Sequence, residues 1–187
     1  SDINFDNATN VGDVVALGAG GVELRVEPGL PFPPNNGLIL SWNESFPVLL
    51  CWVKNQEKHT SEYIDNEGWK AKISSAGEQC ISKLNQKEWD KFTWNELLVQ
   101  ANLFCKNSGM LNDSNRKNII NNIETILKEN RIDLFWNASL CMLGSSAVIV
   151  PTNLDNYNER ELDDILKKIK EIGLDGCITK INSNDII

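Results

Sequence analysis

The residues of this chain with the clearest chemical potential are carboxylates near the last predicted helix. They surround the predicted start of that helix: Asp155, Glu159, Asp163 and Asp164. Two or three carboxylate oxygens can bind a divalent metal ion and support a metal-dependent hydrolase or transferase, with Asp155, Asp163 and Asp164 as candidate ligands. Acidic residues in the first turn of a helix are also favoured by the helix dipole alone. The sequence leaves both interpretations open.

Nucleophilic catalysis and zinc binding have little support in the sequence. His59 is the one histidine, and no nucleophile elbow accompanies it, so we expect it to be a solvated residue. The five cysteines lie 25 to 36 residues apart, whereas zinc ligands usually pair within a few residues. An odd number of cysteines within apolar segments predicts reduced core thiols, a cytoplasmic location and no cofactor.

Two of the six tryptophans are candidates for an exposed binding anchor. Trp69 follows Gly68 and precedes Lys70, and Trp89 lies between Glu88 and Asp90. Exposed tryptophan often anchors a protein interface, whereas buried tryptophan fills a core. The polar neighbours favour Trp69 and Trp89 over the other four as anchors, although core packing is the preferred interpretation for either.

Charge is distributed unevenly along the chain. Residues 1–53 hold five of the six prolines and a single cation, Arg25, against six acidic residues, and the whole chain has a net charge of -8. Such a surface repels phosphate backbones, so nucleic acid is not an expected partner. The longest nearly unbroken apolar run, residues 46–53, is far shorter than a bilayer span requires, so we expect no membrane insertion.

The order of sequence patterns predicts an α+β fold. Apolar and charged residues alternate over residues 22–27, and we expect this strand to form an antiparallel hairpin with residues 14–17. Residues 38–42 and 48–53 predict a second hairpin. About four helices follow, and the chain ends in a β-α-β unit. We predict a single domain over residues 1–187, with a β-rich front (1–53) and a helix-rich body (54–187).

Helix boundaries are predicted from capping patterns. Ser75 and Thr93 each precede a glutamate by three residues, which is typical of a helix start, and Asp113 or Ser114 should cap the next helix. Five apolar residues between positions 162 and 172 form one stripe of the last helix, and Gly173 should end it in a left-handed conformation.

These observations favour a small acidic cytosolic binding or inhibitor protein that neutralises a basic protein partner, as immunity proteins and antitoxins do. Outward-facing Glu23, Glu27 and Glu44 of the front would provide the acidic surface. The first alternative is the carboxylate-based, metal-dependent hydrolase or transferase described above. The second is a structural or accessory subunit of a larger assembly.

Overall fold

The strand β3 (Phe46–Val53) is the centre of the fold, because other strands hydrogen-bond to both of its edges. The computed structural model describes residues 20–27, 37–54, 66–86, 88–141 and 144–181. Within these ranges the elements are β1 (Val22–Glu27), β2 (Leu38–Trp42), β3, α1 (Glu67–Leu84), α2 (Trp94–Asn107), α3 (Ser114–Glu129), β4 (Trp136–Leu140), β5 (Ser146–Pro151), α4 (Glu161–Glu171) and β6 (Leu174–Ile181). Short 3-10 turns, Lys91–Thr93 and Met110–Asn112, precede α2 and α3. The predicted α+β class is confirmed.

The larger sheet has the strand order β4-β5-β3-β6, and every neighbouring pair is antiparallel. Because β5 and β6 both run antiparallel to β3, they are parallel to each other, with β3 between them. Helix α4 connects these two strands. The predicted β-α-β unit is therefore present, but a third strand from the front of the chain separates its two strands.

The predicted pairing of the front strands is partly wrong. Strand β1 pairs antiparallel with β2 in a separate two-stranded sheet, with Leu24 opposite Leu40. The predicted partner of β1, residues 14–17, lies outside the described residues. The hairpin predicted between β2 and β3 does not form, because β5 and β6 already occupy both edges of β3. A strand that is apolar on both faces gains most from a central position, which leaves no edge for β2.

The larger sheet buries apolar side chains on both faces. On one face, Leu49 and Cys51 of β3 pack with α3 and α4, whose buried residues include Ile123 and Ile165. On the other face, Phe46 and Val48 pack with the β1–β2 sheet and with the adjoining ends of α1 and α2. The alternation of side chains along β3 divides it between the two cores.

The capping patterns predicted one of three helix starts correctly in detail. Asp113 caps α3, since its Oδ1 accepts hydrogen bonds from the Asn115 and Arg116 amides at 2.9 and 3.1 Å. Helix α1 begins at Glu67 after the Asn66 cap, so Ser75 lies inside the helix. Helix α2 does follow Thr93, but the Thr93 hydroxyl donates to the Asp90 carbonyl at 2.6 Å and makes no cap bond.

Helix α4 has the predicted apolar stripe except for its last member, Ile172, which follows the helix and is 47% exposed. Leu162, Ile165 and Ile169 pack against the sheet, and each is at most 1% exposed. Gly173 ends the helix with φ at 85°, the left-handed conformation that glycine adopts without a steric penalty. None of the helices in the described parts of the chain is long and apolar enough to cross a bilayer.

Candidate functional site

A cleft of about 540 Å³ lies at one end of the larger sheet. Three segments form it: the turn and first residues that lead into α2, the loop before β4, and the loop after β5. Lys91, Phe92, Leu134, Thr152 and Asp155 are among its lining residues. The cleft therefore combines a cation, a carboxylate, a hydroxyl group and two apolar side chains.

The walls of the cleft are fixed by hydrogen bonds. The Thr152 hydroxyl donates to the Leu134 carbonyl at 2.6 Å, and the Thr152 amide donates to the Phe135 carbonyl at 2.8 Å. On the opposite wall, the Asp90 carboxylate accepts the Phe92 amide at 2.9 Å. The floor is anchored by the buried Trp94 indole, whose Nε1 donates to a carbonyl of β5 at 2.7 Å. These bonds hold the backbone of the lining segments in place before any ligand binds.

One ion pair sets the local charge of the cleft. Lys91 Nζ lies 3.4 Å from Asp155 Oδ1, and the same ammonium group lies 5.8 Å from the centre of the Phe92 ring. Both partners of the pair are exposed, so the pair itself contributes little stability. An exposed ammonium can instead bind an anionic oxygen of a ligand, while the carboxylate can accept a proton or bind a cation.

The turn between β4 and β5 lies at the other end of this hairpin. Its described residues include the small Gly144 and Ser145, and another small residue, Ser146, begins β5. The Ser145 carbonyl accepts the Val53 amide at 3.1 Å, and the Ser146 carbonyl accepts the Cys141 amide at 3.0 Å. Small residues let a ligand approach backbone amides closely. Gly144 is exposed, so the described backbone of this turn is accessible to a ligand.

Four of the five cysteines, all except the exposed Cys177, are unsuited to nucleophilic catalysis. All five are free, and Cys51, Cys80 and Cys105 are buried. Burial and, to a smaller extent, the nearby Cys141 together raise the pKa of the Cys51 thiol to about 12. Burial also raises the pKa of the Cys141 thiol to about 11, although a hydrogen bond with Ser146 opposes this rise. These thiols stay protonated at neutral pH, whereas thiolate is the reactive form.

The predicted metal ligands do not converge. Asp155 lies in the cleft beside Lys91, whereas Asp163 and Asp164 are exposed in the first turn of α4. Among the described residues, no group of three or more histidine, cysteine or acidic side chains could hold a metal ion. The carboxylate set stays a prediction, and Asp155 is its one member in the cleft.

The three acidic residues predicted to form a binding surface on the front differ in their exposure and in their neighbours. Glu23 is largely buried and accepts a hydrogen bond from Arg25 Nε at 2.8 Å, whereas Glu27 is exposed at the end of β1. Glu44 is half-buried near Tyr157, whose pKa is raised by burial and then by Glu159 and Glu44. Whether these residues bind a partner stays a prediction, and His59 lies outside the described residues.

The two tryptophan candidates have different environments. Trp89 is 8% exposed, and its Nε1 donates to the Val22 carbonyl at 3.2 Å, so it joins the segment before α2 to β1. The expectation of an exposed Trp89 anchor is wrong, and core packing is its environment. Trp69 is half-buried near the start of α1, where its amide donates to Asn66 Oδ1 at 3.1 Å.

Sequence reasoning missed the cleft residues Lys91, Phe92 and Thr152. They come from segments far apart in the chain, so their spacing carries no motif. One signal was available: Phe92 is an aromatic residue inside the polar run from Asp90 to Thr93, ahead of a predicted helix start. Only its structural exposure of 84% shows that it faces solvent.

Two known proteins are similar to this chain. It is 30% identical to the pantoate kinase of Methanocaldococcus jannaschii over 105 residues, which cover 56% of this chain and 36% of that enzyme. A solved structure described as a phosphotransferase related to the CoA biosynthesis pathway superimposes on 92% of this chain with a TM-score of 0.60. Sequence identity to it is 18%, so the likeness shows a shared fold. No protein-family model matches the chain.

These comparisons overturn the predicted inhibitor function. The relative and the structural neighbour are a kinase and a phosphotransferase, and neither is an immunity protein or an antitoxin. The prediction of an immunity- or antitoxin-like inhibitor is therefore wrong, and the transferase alternative agrees better with both findings. The chain spans about a third of the curated relative and about half of the solved structure.

Proposed function

We propose that this chain is part of a phosphotransferase that phosphorylates a hydroxyl group of a small carboxylic acid, with pantoate as the first candidate substrate. The observation that carries the proposal is the 30% identity to a pantoate kinase over 105 residues. The fold shared with a second phosphotransferase over 92% of the chain supports the same reaction class.

The cleft beside α2 is the part of the described structure whose groups best suit this chemistry. Lys91 would neutralise an anionic oxygen of the transferred phosphate or of the acid substrate. Asp155 would accept the proton of the attacking hydroxyl or bind the Mg²⁺ that accompanies a nucleoside triphosphate. Magnesium keeps several water and phosphate oxygens as ligands, so a single protein carboxylate is enough to contact it.

The proposed reaction needs only two reactants, the nucleoside triphosphate and the hydroxy acid. The substrate hydroxyl oxygen attacks the terminal phosphorus of the triphosphate, and the bond from that phosphorus to the bridging oxygen breaks. The nucleoside diphosphate leaves with the bridging oxygen, and the hydroxyl proton passes to Asp155 or to water. Positioning and charge neutralisation supply most of the catalysis in such transfers.

A kinase assay tests the function. The protein is incubated with Mg²⁺, ATP and pantoate, and with a panel of other small hydroxy acids. We expect ADP formation that depends on the acid and a phosphorylated acid in the mass spectrum. Acid-independent ATP hydrolysis, or no transfer to any acid in the panel, would contradict the proposed function.

Variants at the two ends of the β4–β5 hairpin test the position of the site. Strand β5 has six residues and is about 20 Å long, so the cleft and the turn cannot contact the same phosphoryl group. We expect Lys91→Met and Asp155→Asn to lower kcat/KM about 100-fold. Matched substitutions on exposed α4 residues, Lys167→Met and Glu171→Gln, should leave it unchanged.

A second set of variants separates the function from its site. Gly144→Val and Ser146→Ala change the turn at the other end of the hairpin. A loss of activity confined to the turn variants would keep the function and contradict the role of the cleft.

We also propose a cytoplasmic location, because all five cysteines are free and a reducing compartment keeps them so.

A further inference from the structure

The exposed apolar side chains of this protein concentrate on one surface. Among the described residues, eight large hydrophobic side chains are exposed, and five of them belong to α2 and the segments beside it. We call these five the α2 patch: Phe92, Val99, Leu103, Leu134 and Phe135. The other three, Leu38, Trp52 and Ile172, lie on separate elements.

The five residues of the patch belong to segments that lie beside each other in the fold. Phe92 and Leu134 line the same cleft. Further along α2, Asn102 Nδ2 donates to Asn137 Oδ1 at 3.2 Å. Helix α2 therefore runs beside the start of β4, and Val99 lies between Phe92 and Asn102 along the chain. Leu103 follows one turn later, at the spacing that keeps it on the same side of the helix.

We propose that the α2 patch is the interface of a symmetric dimer in which two α2 helices pack antiparallel across a twofold axis. The axis would pass between Val99 and Leu103, so that each Val99 contacts the Leu103 of the second copy. Most soluble oligomers are symmetric dimers of this type, in which one surface pairs with its own copy.

The size of the patch suits this interface. The five side chains are 84%, 46%, 40%, 78% and 38% exposed in chain order. With roughly 150–250 Å² for a large side chain, they present on the order of 500 Å² of apolar surface. A standard interface removes about 800 Å² from each partner, of which about 56% is apolar, or about 450 Å². One copy of the patch thus supplies the apolar area of one half of an interface.

The charges along α2 complement each other in the antiparallel arrangement. Glu96 lies three residues before Val99, and Lys106 lies three residues after Leu103. Antiparallel packing about the proposed axis places each Glu96 opposite the Lys106 of the second copy. Glu96 uses Oε1 to accept Gln100 Nε2 at 2.7 Å, and Lys106 is exposed. The opposed helix dipoles also favour this orientation.

The polar residues beside the α2 patch would not oppose its burial in an interface. Asn102, Asn137 and Ser139 form a closed ring in which each side chain donates one hydrogen bond and accepts another. Asn137 Nδ2 donates to Ser139 Oγ at 2.9 Å, and Ser139 Oγ donates to Asn102 Oδ1 at 3.2 Å. A polar group that already has a partner loses less when water is removed than an unpaired one does.

Sedimentation velocity of the protein over a wide concentration range tests the proposal. We expect a dimer that dissociates on dilution. The double substitution Val99→Ser and Leu103→Ser, which removes both members of the proposed contact, should shift the sedimenting mass to that of a single chain. Ile172→Ser removes an exposed apolar side chain of similar size elsewhere and should leave the dimer unchanged. Circular dichroism establishes that each variant is folded.

A charge exchange tests the antiparallel orientation. Glu96→Lys or Lys106→Glu alone should weaken the dimer, and the two together should restore it. A wild-type chain that stays monomeric throughout would overturn the proposal, as would a patch covered only by a different protein. A dimer that survives the double substitution but dissociates with Ile172→Ser would also overturn it. None of these results depends on whether the protein is a phosphotransferase.

Discussion

Helices α2 and α4 both carry apolar side chains at helical spacing, but the fold covers them differently. Every apolar residue of the α4 stripe, from Leu162 to Ile169, faces the sheet and is buried or half-buried. Helix α2 buries Leu98 on its inner side but leaves Val99 and Leu103 46% and 40% exposed on its outer side. A helix with one apolar stripe needs one neighbour, whereas α2 has more apolar surface than its own chain covers.

The largest effect that we expect comes from the covered helix. Ile165→Ala should lower the free energy of unfolding by about 2–5 kcal/mol, because it leaves a cavity between α4 and the sheet. Urea denaturation measures the change. Ile172→Ala is the matched control, since Ile172 is 47% exposed and its replacement should change stability by less than about 0.5 kcal/mol. Equal losses for both variants would show that α4 is not held by this core.

Alkaline pH should weaken the same core through Cys51. Burial raises the pKa of this thiol from 9.0 to about 12, so only the unfolded chain loses the proton between those values. Stability should be unaffected by Cys51 below pH 9 and should fall by about 1.4 kcal/mol per pH unit above it. Urea titrations from pH 8 to 11 measure the slope. If the stability of a Cys51→Ala variant falls with pH as steeply as that of the wild type, the loss comes from other groups.

A hydrogen bond between α4 and β4 should have a smaller effect. Trp136 Nε1 donates to Glu161 Oε2 at 2.6 Å, and Trp136 is 1% exposed. Glu161→Ala leaves the buried indole N–H unpaired and should cost about 1–3 kcal/mol. Asp164→Ala removes an exposed acid from the same first turn and should cost at most about 1 kcal/mol. Thermal melts of both variants measure the two losses of stability. A larger loss for Asp164→Ala than for Glu161→Ala would contradict this expectation.

The smallest effect should come from the outer side of α2. Leu103→Ser should change the stability of a single chain by less than about 0.5 kcal/mol, because Leu103 is 40% exposed. Leu98→Ser, only one and a half turns away on the buried side, should cost several times more. Both are measured by urea denaturation at a protein concentration where the chain is monomeric. A large loss for Leu103→Ser would mean that the patch is part of the core.

Several elements could be predicted because their causes are local. The α4 stripe and Gly173 specify a helix and its end from neighbouring residues, and Asp113 specifies the start of α3. The Ser75 pattern failed because Asn66 caps an earlier start of the same helix. A capping pattern shows that a residue could begin a helix, and packing over the whole helix decides whether it does.

The candidate site was less accessible to sequence reasoning. Asp155 was chosen for its place before α4, yet its partner Lys91 lies 64 residues earlier in the chain. No local spacing relates two residues that meet only when α2 and the loop after β5 pack together. The inhibitor prediction failed for a related reason, since net charge describes solubility and steering and does not specify a reaction.

The sequence by itself determined the α+β class, the amphipathic helix α4 and the exclusion of local zinc motifs, because periodicity, caps and ligand spacing act over a few residues. The tertiary structure decided that β3 lies between β5 and β6, that Lys91 meets Asp155, and that α2 keeps an apolar outer side. These features depend on which distant segments compete for the same strand edge or helix face. Which segment takes each position depends on how the whole chain buries its apolar surface.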